Sequence, residues 1–220
     1  MILLALLLYQ LFFPLISTKG AKSDKEINHI IKNNMILKNR IAGFLLFGTV
    51  AFVIDWSRSF QSINSFYMSE IHFLWLLGIG IMLLIVVNIL TANPKSIKYY
   101  PQLHFQNWNW KPHSLNAFTW IVYLFSYEWL WRGVLLHELR LVFNPEFSIL
   151  INVSCYALLH LFKSKEEALA SIPFGIVLCI LALAMQSFLL PFLLHIMLAL
   201  SFEYGCIKQL QSQNLKNISL

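Results

Sequence analysis

Long apolar runs separated by short polar stretches set the pattern of the chain. The clearest extend from Ile71 to Ala92, Ala117 to His137 and Ala168 to Leu189. Shorter ones cover Ile41 to Trp56, Phe147 to Phe162, Leu190 to Gly205 and the opening stretch Met1 to Ser17. A bilayer core about 30 Å thick needs roughly 20 residues of helix to cross it. Lipid offers the backbone no hydrogen-bond partner, and the long runs lack the alternation of barrel strands, so the pattern predicts helices. The expected fold class is all-α, a polytopic membrane bundle of about seven transmembrane helices. The opening run has no basic segment before it and no small-x-small cleavage site. It is therefore expected to be a retained first helix rather than a secretory signal peptide.

The positive charges give these helices a direction. Of the 16 Lys and Arg residues, all but Arg58, Arg132 and Arg140 fall in segments that lie on one side if the N-terminus is outside. Lys19 to Arg40, Lys95 to Lys111, Lys163 with Lys165, and Lys208 with Lys216 are then all inside. The positive-inside rule thus predicts N-terminus out and C-terminus in. The domain organisation that goes with this layout is 1–113 as N-terminal transmembrane helices with basic inner loops, 114–205 as the remaining core helices, and 206–220 as a short cytoplasmic tail.

Composition agrees. The 220 residues are 58% hydrophobic and only 12% charged, which excludes a disordered chain and a single water-soluble core. The excess of basic over acidic residues is explained by anionic inner-leaflet lipid, so no nucleic-acid partner is needed. Cys155, Cys179 and Cys206 show no CxxC pairing and read as small apolar fillers.

Ionisable side chains are costly inside a bilayer and mark candidate sites. Those inside the runs are Glu128, Arg132, His160, His195 and Glu203, with Asp55 and His137 at run edges where water can reach them. Glu128 and Arg132 stand at i and i+4, on one helical face and within reach of an ion pair, which would serve either packing or chemistry. Asn152, Tyr156 and His160 form a polar stripe at the same spacing. His195, Ala199 and Glu203 form another. If these elements converge, the bundle holds a small polar chamber. A Glu and a His sharing a water could deprotonate it while a second His stabilises an oxyanion, which would hydrolyse an amide. The same groups could instead hold a zinc ion. The stretch from His137 to Leu141 imitates the start of HExxH but ends in Leu. His160 lies near the inner edge of its run, so either that helix continues through Lys163 and Lys165 or the chamber opens to the cytoplasm.

The run from Tyr127 to Gly133 resembles the E-E-x-x-x-R-G motif of the CPBP family, the membrane-embedded CAAX-protease and bacteriocin-processing (Abi-type) proteins. The stretch from Tyr156 to His160 resembles its F-x-x-x-H, and that from His195 to Ala199 its H-x-x-x-N. The three motifs occur in order on separate predicted helices, and the resemblance, which covers 114–205, implies that this stretch is the catalytic core. The resemblance implies a multi-pass inner-membrane peptidase that cleaves prenylated or other peptide and membrane-protein substrates within lipid. Its catalytic residues would be Glu128, His160, His195 and Arg132. His160 would help the acid activate water, His195 would form part of the oxyanion site, and Arg132 would hold the acidic motif. A divalent metal such as zinc, if bound, would use Glu128, His160 and His195. Two positions depart from the pattern: Tyr127 stands where the first family Glu belongs, and Ala199 where the family has Asn. Two functions follow, a peptidase using Glu128 or a catalytically silent member that acts by binding in immunity or regulation.

Overall fold

The structure is a computed structural model that describes residues 25–57, 100–161 and 165–218, with isolated positions between 74 and 86. The opening run Met1 to Ser17 and most of the run Ile71 to Ala92 lie outside the described residues. Every regular element among the described residues is helical. They are α1 (Lys25–Trp56), α2 (Trp110–Glu128), a π-helical turn (Trp129–Leu135), α3 (Leu136–Val142), α4 (Pro145–His160), α5 (Lys165–Met185) and α6 (Leu189–Ile218).

Three of these helices are long and apolar enough to cross a membrane: His29–Trp56, Lys165–Met185 and Leu189–Gln213. At most 39% of any such window is buried by protein, so the remaining apolar surface calls for lipid. The chain is a membrane protein on this ground. The helix of the first described span starts well before Ile41, the residue at which the apolar run begins. Lys32, Lys38 and Arg40, expected in a polar loop, are therefore helical residues. The run Ala117 to His137 is helical throughout, but its C-terminal third is largely the π-turn, a wider coil of the kind found at functional sites.

Local chemistry explains the boundaries. Phe143 leaves α3 in an extended conformation, and Asn144 starts α4 by accepting a hydrogen bond from Phe147 N at 2.9 Å. Pro145 follows at the first helical position, where its missing N–H costs nothing, and Glu146 complements the positive end of the helix dipole. The helix ends at His160 and the next is described from Lys165; the expected continuation of the fifth apolar run through Lys163 lies outside the described residues. Between α5 and α6 the chain turns on Gln186, whose φ of 49° is left-handed. Ser187 N then bonds back to Ala182 O at 3.2 Å and Ser187 Oγ accepts from Leu189 N at 3.2 Å, closing one helix and opening the next.

The helices divide into two units drawn from non-contiguous stretches. Among the described residues, the first is built from 42–57 and 123–193, and the second from 25–41, 100–122 and 194–218. The core of the first gathers Phe47 and Ala51 of α1, Tyr127 of α2, Leu130, Trp131 and Val134 of the π-turn, and Tyr156 of α4. Gly48 lets α1 approach closely: a Cβ there would already sit 3.5 Å from Ser126 Cβ.

The left-handed position gives a test. Gln186→Val is expected to destabilise the protein by roughly 1–2 kcal/mol, because a β-branched residue tolerates positive φ poorly, whereas Gln186→Gly should cost nothing. Thermal unfolding in detergent measures both.

Candidate active site

In the first unit the sequence pair Glu128 and Arg132 is a buried ion pair. Arg132 Nη1 lies 3.3 Å from Glu128 Oε1 and 3.2 Å from Oε2, and the two residues are 0% and 3% exposed. Glu128 closes α2 and Arg132 is in the π-turn, so the pair spans the junction between the two helical forms. The guanidinium carbon stacks 4.3 Å above the Tyr156 ring. Arg132 Nε and Nη2, and Trp131 Nε1, are buried without a hydrogen-bond acceptor among the described residues. Space for the guanidinium comes from Gly175 of α5, where a Cβ would stand 3.2 Å from Tyr156 Cδ1 and 3.6 Å from Arg132 Nη2. A Cβ there would crowd the Tyr156 ring and fill the space beside the guanidinium.

The polar stripe of α4 serves this pair level by level. Asn152, fully buried, donates from Nδ2 to Trp131 O at 2.9 Å and accepts from Cys179 Sγ at 3.3 Å. Tyr156 seats the guanidinium. The His160 ring centroid lies 4.4 Å from that of Tyr156, and its Nδ1 lies 2.9 Å from Tyr156 O. A carbonyl can only accept, so Nδ1 carries the proton, and in the neutral imidazole the lone pair is on Nε2. Glu128, Arg132 and His160 are thus linked through Tyr156.

Tyr127, in the place of the first family Glu, sits among rings. Its centroid is 5.6 Å from Phe47, 5.8 Å from Trp131 and 6.1 Å from Tyr156. It packs the core where the family places a carboxylate. Asp55 also differs from expectation. Rather than meeting water at a helix edge, it is 3% exposed and accepts from Trp129 Nε1 at 2.9 Å, tying the first residue of the π-turn to the end of α1.

The second unit holds the other intramembrane carboxylate. Glu203 of α6, 1% exposed, accepts from Trp120 Nε1 at 3.2 Å, from Gln102 N at 3.3 Å and, on Oε2, from Asn116 Nδ2 at 3.3 Å. Arg40 Nη2 stands 3.8 Å from its Oε1, while Nη1 donates to Asn116 Oδ1 at 2.9 Å and Thr119 Oγ1 at 2.8 Å. The guanidinium carbon is 4.2 Å above Trp120. Sequence reasoning assigned Arg40 to a basic loop and missed this partnership. The available signal was Glu203 itself, a carboxylate within an apolar helix that requires a cation from elsewhere. His195 belongs to this unit, half-buried on α6 two turns before Glu203.

Also in the second unit, the segment before α2 docks on α1. Asn33 Nδ2 donates to His104 O and His104 N donates to Asn33 Oδ1, both at 2.7 Å. His104 Nδ1 faces Gln102 O at 2.9 Å, leaving Nε2 to accept from Lys32 Nζ at 3.5 Å. Burial first, and then the Lys32 charge, push the His104 imidazole down to about 4.

Residues 109–201 match the family model described as Type II CAAX prenyl endopeptidase Rce1-like. This segment is an Rce1-like domain. It runs from the start of α2 to the middle of α6 and includes Glu128, Arg132, His160 and His195. The family that this segment matches is one of CAAX-protease-type membrane peptidases. Neither a curated protein nor a solved structure matches the chain.

The Rce1-like segment contributes no evident metal cage. Within neither unit do three His, Cys, Asp or Glu side chains among the described residues come together to hold an ion. Arg132 also takes the flank of the Glu128 carboxylate, a cationic neighbour that suits a second cation poorly.

Two outcomes test the second unit. Glu203→Leu should destabilise the protein by about 3–5 kcal/mol by stranding Arg40, whereas Glu203→Leu with Arg40→Met should recover most of that loss; denaturation in detergent reads both. His104 is neutral in the fold and takes up a proton on unfolding at any pH between about 4 and its ordinary 6.5. Its contribution is whole above 6.5 and is lost as pH falls through about 4. The slope of unfolding midpoint against pH in this window should flatten in His104→Phe.

Proposed function

We propose that the chain is an intramembrane endopeptidase of the CAAX-protease type, acting in the cell's inner membrane on a prenylated or otherwise membrane-held peptide segment. The observation that carries this reading is the buried Glu128–Arg132 pair at a π-turn within the Rce1-like segment, with His160 joined to it through Tyr156.

In this mechanism Arg132 orients the Glu128 carboxylate, which takes a proton from a water molecule as its oxygen adds to the scissile carbonyl carbon. His160 Nε2 accepts a hydrogen bond from the same water and holds it for attack. The tetrahedral oxyanion is stabilised by N–H donors, and the buried donors of Arg132 and Trp131 supply a setting rich in them. His195 keeps the oxyanion role that the resemblance implies. The proton on Glu128 then passes to the departing amine as the C–N bond breaks, and a carboxylic acid and an amine leave. This mechanism needs no metal. Tyr127 contributes packing, and the single carboxylate does the work that the family motif divides between two positions.

A turnover assay tests this. Purified protein in lipid, offered a library of lipidated and plain peptides, should cleave a subset. Glu128→Ala and His160→Ala should each reduce turnover by at least 100-fold, His195→Ala should reduce it by roughly 100- to 1000-fold as for loss of one oxyanion donor, and chelators should leave it unchanged. Equal background cleavage by wild type and the Glu128 and His160 variants would replace this reading with that of a silent binding protein. Loss of turnover on chelation would restore the metal.

A further inference from the structure

We propose that Asn152 is a positioning residue for the Glu128 carboxylate, acting through the π-turn that carries Arg132; this rests on the hydrolytic role of Glu128 above. In a π-turn each N–H reaches back five residues, and here Leu136 N bonds to Trp131 O. That carbonyl has a second lone pair, and Asn152 Nδ2 fills it at 2.9 Å from the neighbouring helix α4. Arg132 is the next residue along the chain. The orientation of its peptide unit is therefore set by a side chain 0% exposed on a different helix.

The other end of the same amide accepts from Cys179 on α5. One turn further along α4 and one turn back along α5 are Tyr156 and Gly175, the two residues that seat the Arg132 guanidinium. Two layers result. In one, Asn152 fixes the backbone beside Arg132; in the other, Tyr156 and the space at Gly175 fix its side chain. Arg132 Nη1 then meets both oxygens of Glu128, so displacement of the π-turn moves the carboxylate. A buried side-chain amide in an apolar helix is costly to retain, and packing α4 on α5 requires only apolar residues at this level. A single amide bonded to two other elements at the level of the ion pair is what a positioning role demands.

The test separates the donor from the acceptor of that amide. Asn152→Leu removes both, Asn152→Asp replaces the donor Nδ2 by oxygen, and Cys179→Ala removes the partner of Oδ1, a thiol that also neighbours Arg132. With protein labelled at Glu carboxyl carbons, the Glu128 NMR signal is identified by its loss in Glu128→Gln. It should move in Asn152→Leu and Asn152→Asp and move much less in Cys179→Ala. On a cleaved peptide, kcat should fall on the order of 100-fold in both Asn152 variants, with KM within about two-fold of wild type. A folded Asn152→Asp protein with the wild-type Glu128 signal overturns the proposal, as does a Cys179→Ala signal that moves equally. If Asn152→Leu does not fold, the nearly isosteric Asn152→Asp decides. If wild type cleaves nothing, the peptidase reading fails while the carboxyl signal still decides whether Asn152 sets Glu128.

Discussion

The first unit depends on holding one ion pair, Glu128 with Arg132, away from water. Placing a carboxylate and a guanidinium where both are almost wholly buried carries a desolvation cost of several kcal/mol per ion, which their mutual attraction offsets only with good geometry. The surrounding residues supply that geometry. Tyr156 lies flat under the guanidinium, Gly175 leaves room beside it, and Asn152 fixes the carbonyl of the preceding residue. The wide turn from Trp129 to Leu135 allows these contacts to converge, and Asp55 anchors its first residue through the Trp129 indole.

The second unit meets the same constraint by other means. Glu203 is surrounded by donors, Trp120, Asn116 and the Gln102 backbone, with Arg40 slightly farther away. Its oxygens are satisfied, as a structural carboxylate requires. The first unit instead leaves donors of Arg132 and Trp131 without acceptors among the described residues. In the proposed reaction, the donors beside Glu128 would be available to an acceptor that forms there.

The helical, membrane-embedded class was legible from the apolar runs, because lipid permits few alternatives to internally bonded backbone. The Glu128–Arg132 contact was legible too, since i and i+4 fixes proximity whatever else the chain does. The polar stripe Asn152, Tyr156, His160 could be recognised as a face, though not as three different tasks. Arg40 was misplaced because charge next to an apolar run reads as loop, whereas Gln102, Asn116, Thr119 and Glu203, all far along the chain, hold it in the interior. Asp55 was assigned to water for the same reason.

The sequence by itself determined that this chain lives in lipid, that residues 109–201 carry the motifs of an Rce1-like domain, and which few charges lie inside it. Those properties depend on composition, order and helical periodicity, which are local. Only the tertiary structure decided that Glu128 faces a guanidinium seated on Tyr156, that Tyr127 packs among rings, and that Glu203 belongs with Arg40. Each of those depends on contacts between helices and on one π-turn that shifts the helical phase, and neither can be computed from spacing along a regular helix.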